Sequence, residues 1–101
     1  MSKVIVRYKV KKDRAEENID YINRVFDALK QASPSGLRYA SFVLEDGLSF
    51  IHIASIETAD GSNPLTGLAE FQAFVEDIGS RCDEPPRPSV VEMLGSYRVF
   101  D

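Results

Sequence analysis

The sequence predicts an α+β fold in the order β-α-β-β-α-β. Three observations carry that prediction. The chain opens on a short β-branched run, VIVRYKV. Two later stretches place apolar residues three and four apart, the spacing of one helix face. Asp46-Gly47 divides two apolar runs of strand length, and glycine tolerates the positive φ that tight hairpin turns need.

The elements follow in order. The first strand spans Lys3 to Lys11, rich in β-branched residues and too short for a helix. The first helix opens at Asp13, which with Glu16 resembles a capping box. Its stripe is Ala15, Ile19, Ile22, Phe26 and Leu29, widened by Tyr21, Val25 and Ala28. Ser33-Pro34-Ser35-Gly36 ends it, because proline cannot continue a helix. Strands over Leu37 to Glu45 and Leu48 to Glu57 form the hairpin. A second helix is predicted from Leu65 to Arg81, with Leu68, Phe71, Val75, Ile78 and Cys82 as its stripe. Asp83-Glu84-Pro85-Pro86-Arg87-Pro88 reads as a stiff connector, since three prolines disfavour both helix and interior strand. The fourth strand is expected from Ser89 to Phe100.

This split βαβ order implies one ferredoxin-like domain over residues 1–101, with a four-stranded antiparallel sheet in the order 4-1-3-2. Both helices are expected on one face. Assigning the purer apolar sets to the helices leaves Ile5, Arg7, Phe42, Phe50, His52, Ala54, Ile56, Glu92, Leu94 and Arg98 for the helix-free face. A surface that apolar calls for a cover, and a second copy packed sheet to sheet would supply one.

Composition narrows the function. A formal net charge of −4 opposes a nucleic-acid partner, whose affinity rests on clustered lysine and arginine. One cysteine and one histidine make neither a disulfide nor a typical transition-metal site within one chain, and no cofactor is expected. No segment approaches the roughly 20 apolar residues that span a bilayer, and no signal peptide is read, so a cytoplasmic protein is expected.

Four stretches together resemble one known group of proteins. They are VIVRYKVKKDRAEENI at the start, DGLSFIHIAS at the hairpin, LAEFQAFVEDI in the second helix and LGSYRVF at the end. With the element order, they make the chain similar to the dimeric α/β-barrel superfamily, which contains the antibiotic biosynthesis monooxygenase-like proteins. The resemblance implies a homodimer with two sheets paired into a barrel, and a pocket in the lumen or beneath the helices. It also implies, as some members are, a cofactor-independent oxygenase of aromatic polyketides, while other members have no assigned activity. This chain has no tryptophan, so no tryptophan-dependent oxygenase site carries over.

The candidate residues each have two readings. His52, the one histidine, is either a general base near neutrality or a packed side chain bonded to a carboxylate or the backbone. Arg7, Glu92 and Arg98 form either an anion clamp for a carboxylate or phenolate, with Phe50 beside it, or a charge network that fixes dimer register. Tyr8, Tyr39 and Tyr97 are hydrogen-bond donors in a pocket or core residues with their hydroxyls at the rim. Cys82 reads as a small core residue. The leading expectation is an oxygenase- or isomerase-like enzyme on a small aromatic or keto compound, with His52 as base. The alternative is a non-catalytic barrel that binds a small apolar or aromatic ligand or serves as a dimeric interaction module.

Overall fold

The computed structural model describes residues 2–99. The elements are β1 (Ser2–Val10), α1 (Ala15–Ala32), β2 (Leu37–Val43), β3 (Ser49–Ile56), α2 (Ala69–Val75), α3 (Ile78–Arg81) and β4 (Cys82–Val91), with 3-10 turns at Lys12–Arg14 and Pro64–Gly67. The antiparallel sheet has the order β2-β3-β1-β4, as the split βαβ order predicts.

The first helix starts without a capping box: neither Lys11, before the 3-10 turn, nor Arg14, before α1, makes a side-chain cap hydrogen bond. It stops where expected, with Ser33 in the left-handed region and its N–H donating to the Leu29 carbonyl at 2.7 Å. Its buried stripe, however, runs through Ala15, Asn18, Ile22, Val25 and Leu29. Ile19 lies at the exposed margin, and a fully buried asparagine takes the centre.

The hairpin between β2 and β3 is built on Asp46. Its carboxylate accepts from the Leu48 and Ser49 amides, each at 2.8 Å, and from the Ser49 hydroxyl at 2.6 Å. These bonds hold its pKa down to about 2. At the other end of the hairpin Gly36 sits at φ 77°, and a Cβ there would come within 2.7 Å of the Thr58 side chain.

Two boundaries depart from expectation. The single helix predicted from Leu65 to Arg81 is three pieces. Leu68 is extended between the 3-10 turn and α2, and Asp77, at φ 59°, separates α2 from α3. Those breaks turn Leu65, Phe74 and Arg81 all inward, which one continuous helix stripe does not do. The fourth strand begins at Cys82, not Ser89, so the proline connector is itself strand. β4 is an edge strand with β1 as its one neighbour, and an edge tolerates residues that lack an N–H. Pro85 and Pro86 together face Tyr8, a bulge between the pairs Arg7↔Arg87 and Lys9↔Glu84. Residues 92–99, expected in that strand, lie beyond it and are exposed. Phe100, its expected end, falls outside the described residues.

Cross-strand register decides the faces, because directly paired residues point the same way. Tyr8 pairs with Phe50, Val6 with His52 and Val4 with Ala54. The core contains Tyr8, Val10, Val25, Phe50, Leu65, Phe74 and Cys82, which places that face under the helices. Phe50, His52, Ala54 and Ile56 are therefore on the helix side, which corrects their expected place on the helix-free face. That face instead carries Ile5 opposite Ile53, Arg7 opposite Ile51, and the β2 residues Ala40 and Phe42 beside them.

Candidate functional site

The polar centre of the fold lies between the sheet and the helices. His52 on β3 is 5 % exposed, and its ring is clasped from both neighbouring strands. On the β1 side, the Tyr8 hydroxyl lies 2.7 Å from Nε2. On the β2 side, Ser41 Oγ and Tyr39 Oη lie 2.6 and 2.9 Å from Nδ1. Asn18 Nδ2, from the middle of α1, donates to the Tyr8 hydroxyl at 2.8 Å. Arg81, at the end of α3, donates through Nε to Asn18 Oδ1 at 3.3 Å and through Nη2 to the Phe74 carbonyl at 2.6 Å. One hydrogen-bonded chain thus joins Arg81, Asn18, Tyr8, His52, Ser41 and Tyr39.

The aromatic rings lie in register with this chain. Phe26, Tyr39, His52, Tyr8 and Phe50 form a continuous stack with successive centroids 5.3 to 5.9 Å apart. Phe74 closes the ring of His52 from α2, at 5.4 Å. The Arg81 guanidinium lies over the Tyr21 ring at 4.5 Å. Arg81 is 1 % exposed, and among the described residues no carboxylate lies within ion-pair distance of it. A buried cation with no carboxylate in contact is costly, so its neighbours must solvate it, and Glu17 acts on it only at longer range.

Burial sets the protonation of the cluster. It lowers the pKa of His52 to about 4, so the ring is neutral at physiological pH. It raises Tyr39 to about 12, against a smaller opposing effect of the Ser41 hydroxyl, and raises Tyr8 further. His52 is therefore not poised as a base near neutrality. It is a neutral ring hydrogen-bonded between hydroxyls of the two neighbouring strands.

The edge of the cluster is Tyr39. Its ring, with Phe26, Leu29, Pro34 and Leu37, walls an open groove of about 260 Å³ between the end of α1 and β2, with Lys30 at the rim. The groove is apolar and aromatic on its walls, and Tyr39 links it to the buried chain. A larger groove of about 530 Å³ lies on the helix-free face, where Phe42, Ile53, Met93, Arg98 and Val99 are among the lining residues.

The expected clamp does not assemble around His52. Arg7 lies on the opposite sheet face, beside Lys9, Glu84 and Arg87 at a groove of about 100 Å³. Phe50 is a core residue stacked on Tyr8. Glu92 is exposed after β4, and Arg98 lines the groove of the helix-free face, its guanidinium 5.3 Å from the exposed Tyr97 ring. Of the residues singled out from sequence, Tyr8, Tyr39 and His52 come together. Asn18, Ser41 and Arg81 were missed. Asn18 had a readable signal, a polar residue at the centre of the helical spacing 15-18-22-25-29. Arg81 had none, because the predicted stripe of the second helix passes through Ile78 and Cys82 and leaves it off the apolar face, and the helix is instead interrupted at Asp77. Among the described residues no cluster of histidine, cysteine and carboxylate is placed to hold a metal ion, and no helix is long and apolar enough to cross a membrane.

No protein-family model matches the sequence, and no curated protein does. Solved structures match along nearly the whole chain. An antibiotic biosynthesis monooxygenase shares 17 % identity at a TM-score of 0.75, covering 94 % of this chain and 100 % of the other. Rv0793 from Mycobacterium tuberculosis shares 14 % at 0.75, covering 94 % and 96 %. SnoaB, a cofactor-independent oxygenase from Streptomyces nogalater, shares 13 % at 0.69, covering 96 % of each chain. Identities this low speak for the fold, and the fold of this chain is that of the antibiotic biosynthesis monooxygenase-like proteins.

Proposed function

We propose that the protein is a monooxygenase-like enzyme that needs no cofactor and acts on a small aromatic or keto compound held in the groove between α1 and β2. One observation carries the reading: the groove wall includes Tyr39, whose hydroxyl joins a buried hydrogen-bond chain that ends on a buried arginine with no carboxylate in ion-pair contact. A phenol or enolisable ketone becomes reactive toward dioxygen as its anion, which enters the open groove with its proton already lost to solvent. Fixed hydrogen-bond donors stabilise such an anion where it sits. In this reading Tyr39 meets the substrate oxygen, His52 and Tyr8 orient its hydroxyl, and Phe26 and Leu37 grip the ring. SnoaB, with the same fold, is a cofactor-independent oxygenase, which supports the choice of chemistry.

The test is oxygen consumption measured across a panel of small phenols and enolisable ketones. A substrate should emerge whose turnover falls by roughly 10²-fold in Tyr39→Phe, the usual effect of deleting one oxyanion donor. Compounds that bind without consuming oxygen would leave the protein a ligand-binding module. The full satisfaction of His52 by Tyr8, Ser41 and Tyr39 favours that second reading.

The active form in this proposal is a cytoplasmic homodimer packed through the helix-free face. Ile5, Ile51, Ile53 and Phe42 share that face, and Met93, Leu94, Tyr97 and Val99 beyond β4 are exposed, Leu94 at 96 %. An apolar surface of that extent calls for a cover. Light scattering at micromolar concentration should give twice the 11.3 kDa chain mass, and Ile53→Glu should halve it without loss of secondary structure. A wild-type monomer under those conditions would remove the dimer from the proposal.

A further inference from the structure

The hydrogen-bond chain has a direction, and its two ends fix it. Arginine only donates, so Asn18 must turn its Oδ1 toward Arg81. Its Nδ2 then faces Tyr8 and can only donate, so the Tyr8 oxygen accepts. The Tyr8 hydroxyl proton then has one acceptor in reach, His52 Nε2 at 2.7 Å. The reverse arrangement, with Nε2–H donating, would give Tyr8 two donors and leave its own buried proton without an acceptor, which costs free energy. Nε2 is thus the acceptor, and the neutral ring carries its proton on Nδ1. That proton goes to Ser41 Oγ and Tyr39 Oη, at 2.6 and 2.9 Å. Both hydroxyls therefore receive from the ring and keep their own protons to give. The cationic Arg81 polarises every bond of the chain in the same sense, since each donor is made more acidic by the one behind it.

We propose that Arg81 and Asn18 are positioning residues that orient this chain so that Tyr39 offers the groove a proton rather than a lone pair. The groove then seats the oxygen of a phenolate or enolate against Tyr39. The inference rests on the reading of the α1–β2 groove as the substrate site. Its chemistry is selective: an anionic oxygen gains a charge-assisted hydrogen bond at Tyr39, while a neutral phenol must compete with its own donor proton. Apolar walls from Phe26, Leu29 and Leu37 match the aromatic body, and Lys30 at the rim matches the charge.

Asn18→Asp tests the direction with almost no change of shape. A carboxylate at this place accepts from both Arg81 and Tyr8, so Tyr8 must donate toward residue 18 and accept from His52. The ring tautomer flips to Nε2–H, and Ser41 and Tyr39 turn their protons inward. The variant also pairs Arg81 with an anion, so it folds. His52 is the one histidine of the chain, so long-range ¹H–¹⁵N correlation of the ring reads the tautomer without ambiguity. The probe is 4-nitrophenol, whose phenol and phenolate absorb at different wavelengths. Wild type should show Nδ1–H and bind the phenolate about tenfold more tightly than the phenol, in the range of one charge-assisted hydrogen bond. Asn18→Asp should show Nε2–H and lose the preference. Tyr39→Phe should lose the preference while keeping Nδ1–H. A wild-type ring protonated on Nε2, or an unchanged tautomer in Asn18→Asp, overturns the inferred direction whatever the groove binds. The expected tautomers with no probe shifts at Leu29 or Leu37 would overturn the seat at Tyr39, and the groove as substrate site with it.

Discussion

Asn18→Leu is expected to destabilise the protein by about 3–5 kcal/mol, the combined loss of one hydrogen bond to a buried cation and one to a buried hydroxyl. Asn18 is fully buried in α1 and is the side chain that both accepts from Arg81 and donates to Tyr8. Leucine fills the space and provides neither bond. The Arg81 guanidinium would keep one carbonyl and two aromatic faces as its contacts, with Glu17 acting only at longer range. A loss of that size approaches the total stability of many domains, about 5–15 kcal/mol, so part of the protein should be unfolded at 25 °C. The second substitution separates charge from packing. Arg81→Met in the Asn18→Leu background removes the cation that leucine strands, and should restore at least half of the loss in urea-unfolding midpoints. A double variant no more stable than Asn18→Leu would mean that the charge is not what makes Asn18 necessary.

Acidification provides the second large effect, in a window that belongs to His52. Its pKa is lowered to about 4 in the folded protein by desolvation, against about 6.5 when unfolded. The unfolded chain therefore takes up a proton first as pH falls. The stability contribution is complete above pH 6.5 and is lost between about 6.5 and 4, reaching about 3 kcal/mol by pH 4. The groups facing the ring are Tyr8, Ser41 and Tyr39, with Arg81 behind Asn18, and none of these is a carboxylate that would pair with an imidazolium. Asp46, Glu17, Glu57 and Asp60 also have lowered pKa values, through hydrogen bonds to nearby side chains and backbone, but their contributions fall away only as pH drops toward 4 and below. The interval from pH 7 to 5 thus isolates the histidine. Unfolding free energies there should slope downward with acid in the wild type and lie flat in His52→Gln, whatever the baseline stability of that variant. A wild-type curve that is flat across the interval would show a ring that protonates freely in the fold.

These two effects come from residues that the chain order alone separates widely, and their legibility in the sequence differs for physical reasons. The element order, the Asp46-Gly47 hairpin and the stop after α1 were legible because each depends on local chemistry: spacing, a glycine free to take positive φ, and a proline that cannot continue a helix. The sheet order followed from the β-α-β-β-α-β arrangement and not from any one residue. The face of β3 was misread for an equally physical reason. Alternation says which residues point together, but not toward which layer, and Ile51 and Ile53 look like core until β1 pairs Val6 with His52.

The sequence by itself determined the class of fold, the place of the first three strands and of the first helix to within a few residues, and the presence of one histidine among aromatics. Only the tertiary structure decided the site. Strand register put Tyr8, His52, Ser41 and Tyr39 on one face. The turn at Asp77 delivered Arg81 to Asn18 across 63 residues of sequence. The edge position of β4 made strand out of prolines. Each of these is a contact between distant segments, chosen by what must be buried and bonded together, and no local preference of the chain records it.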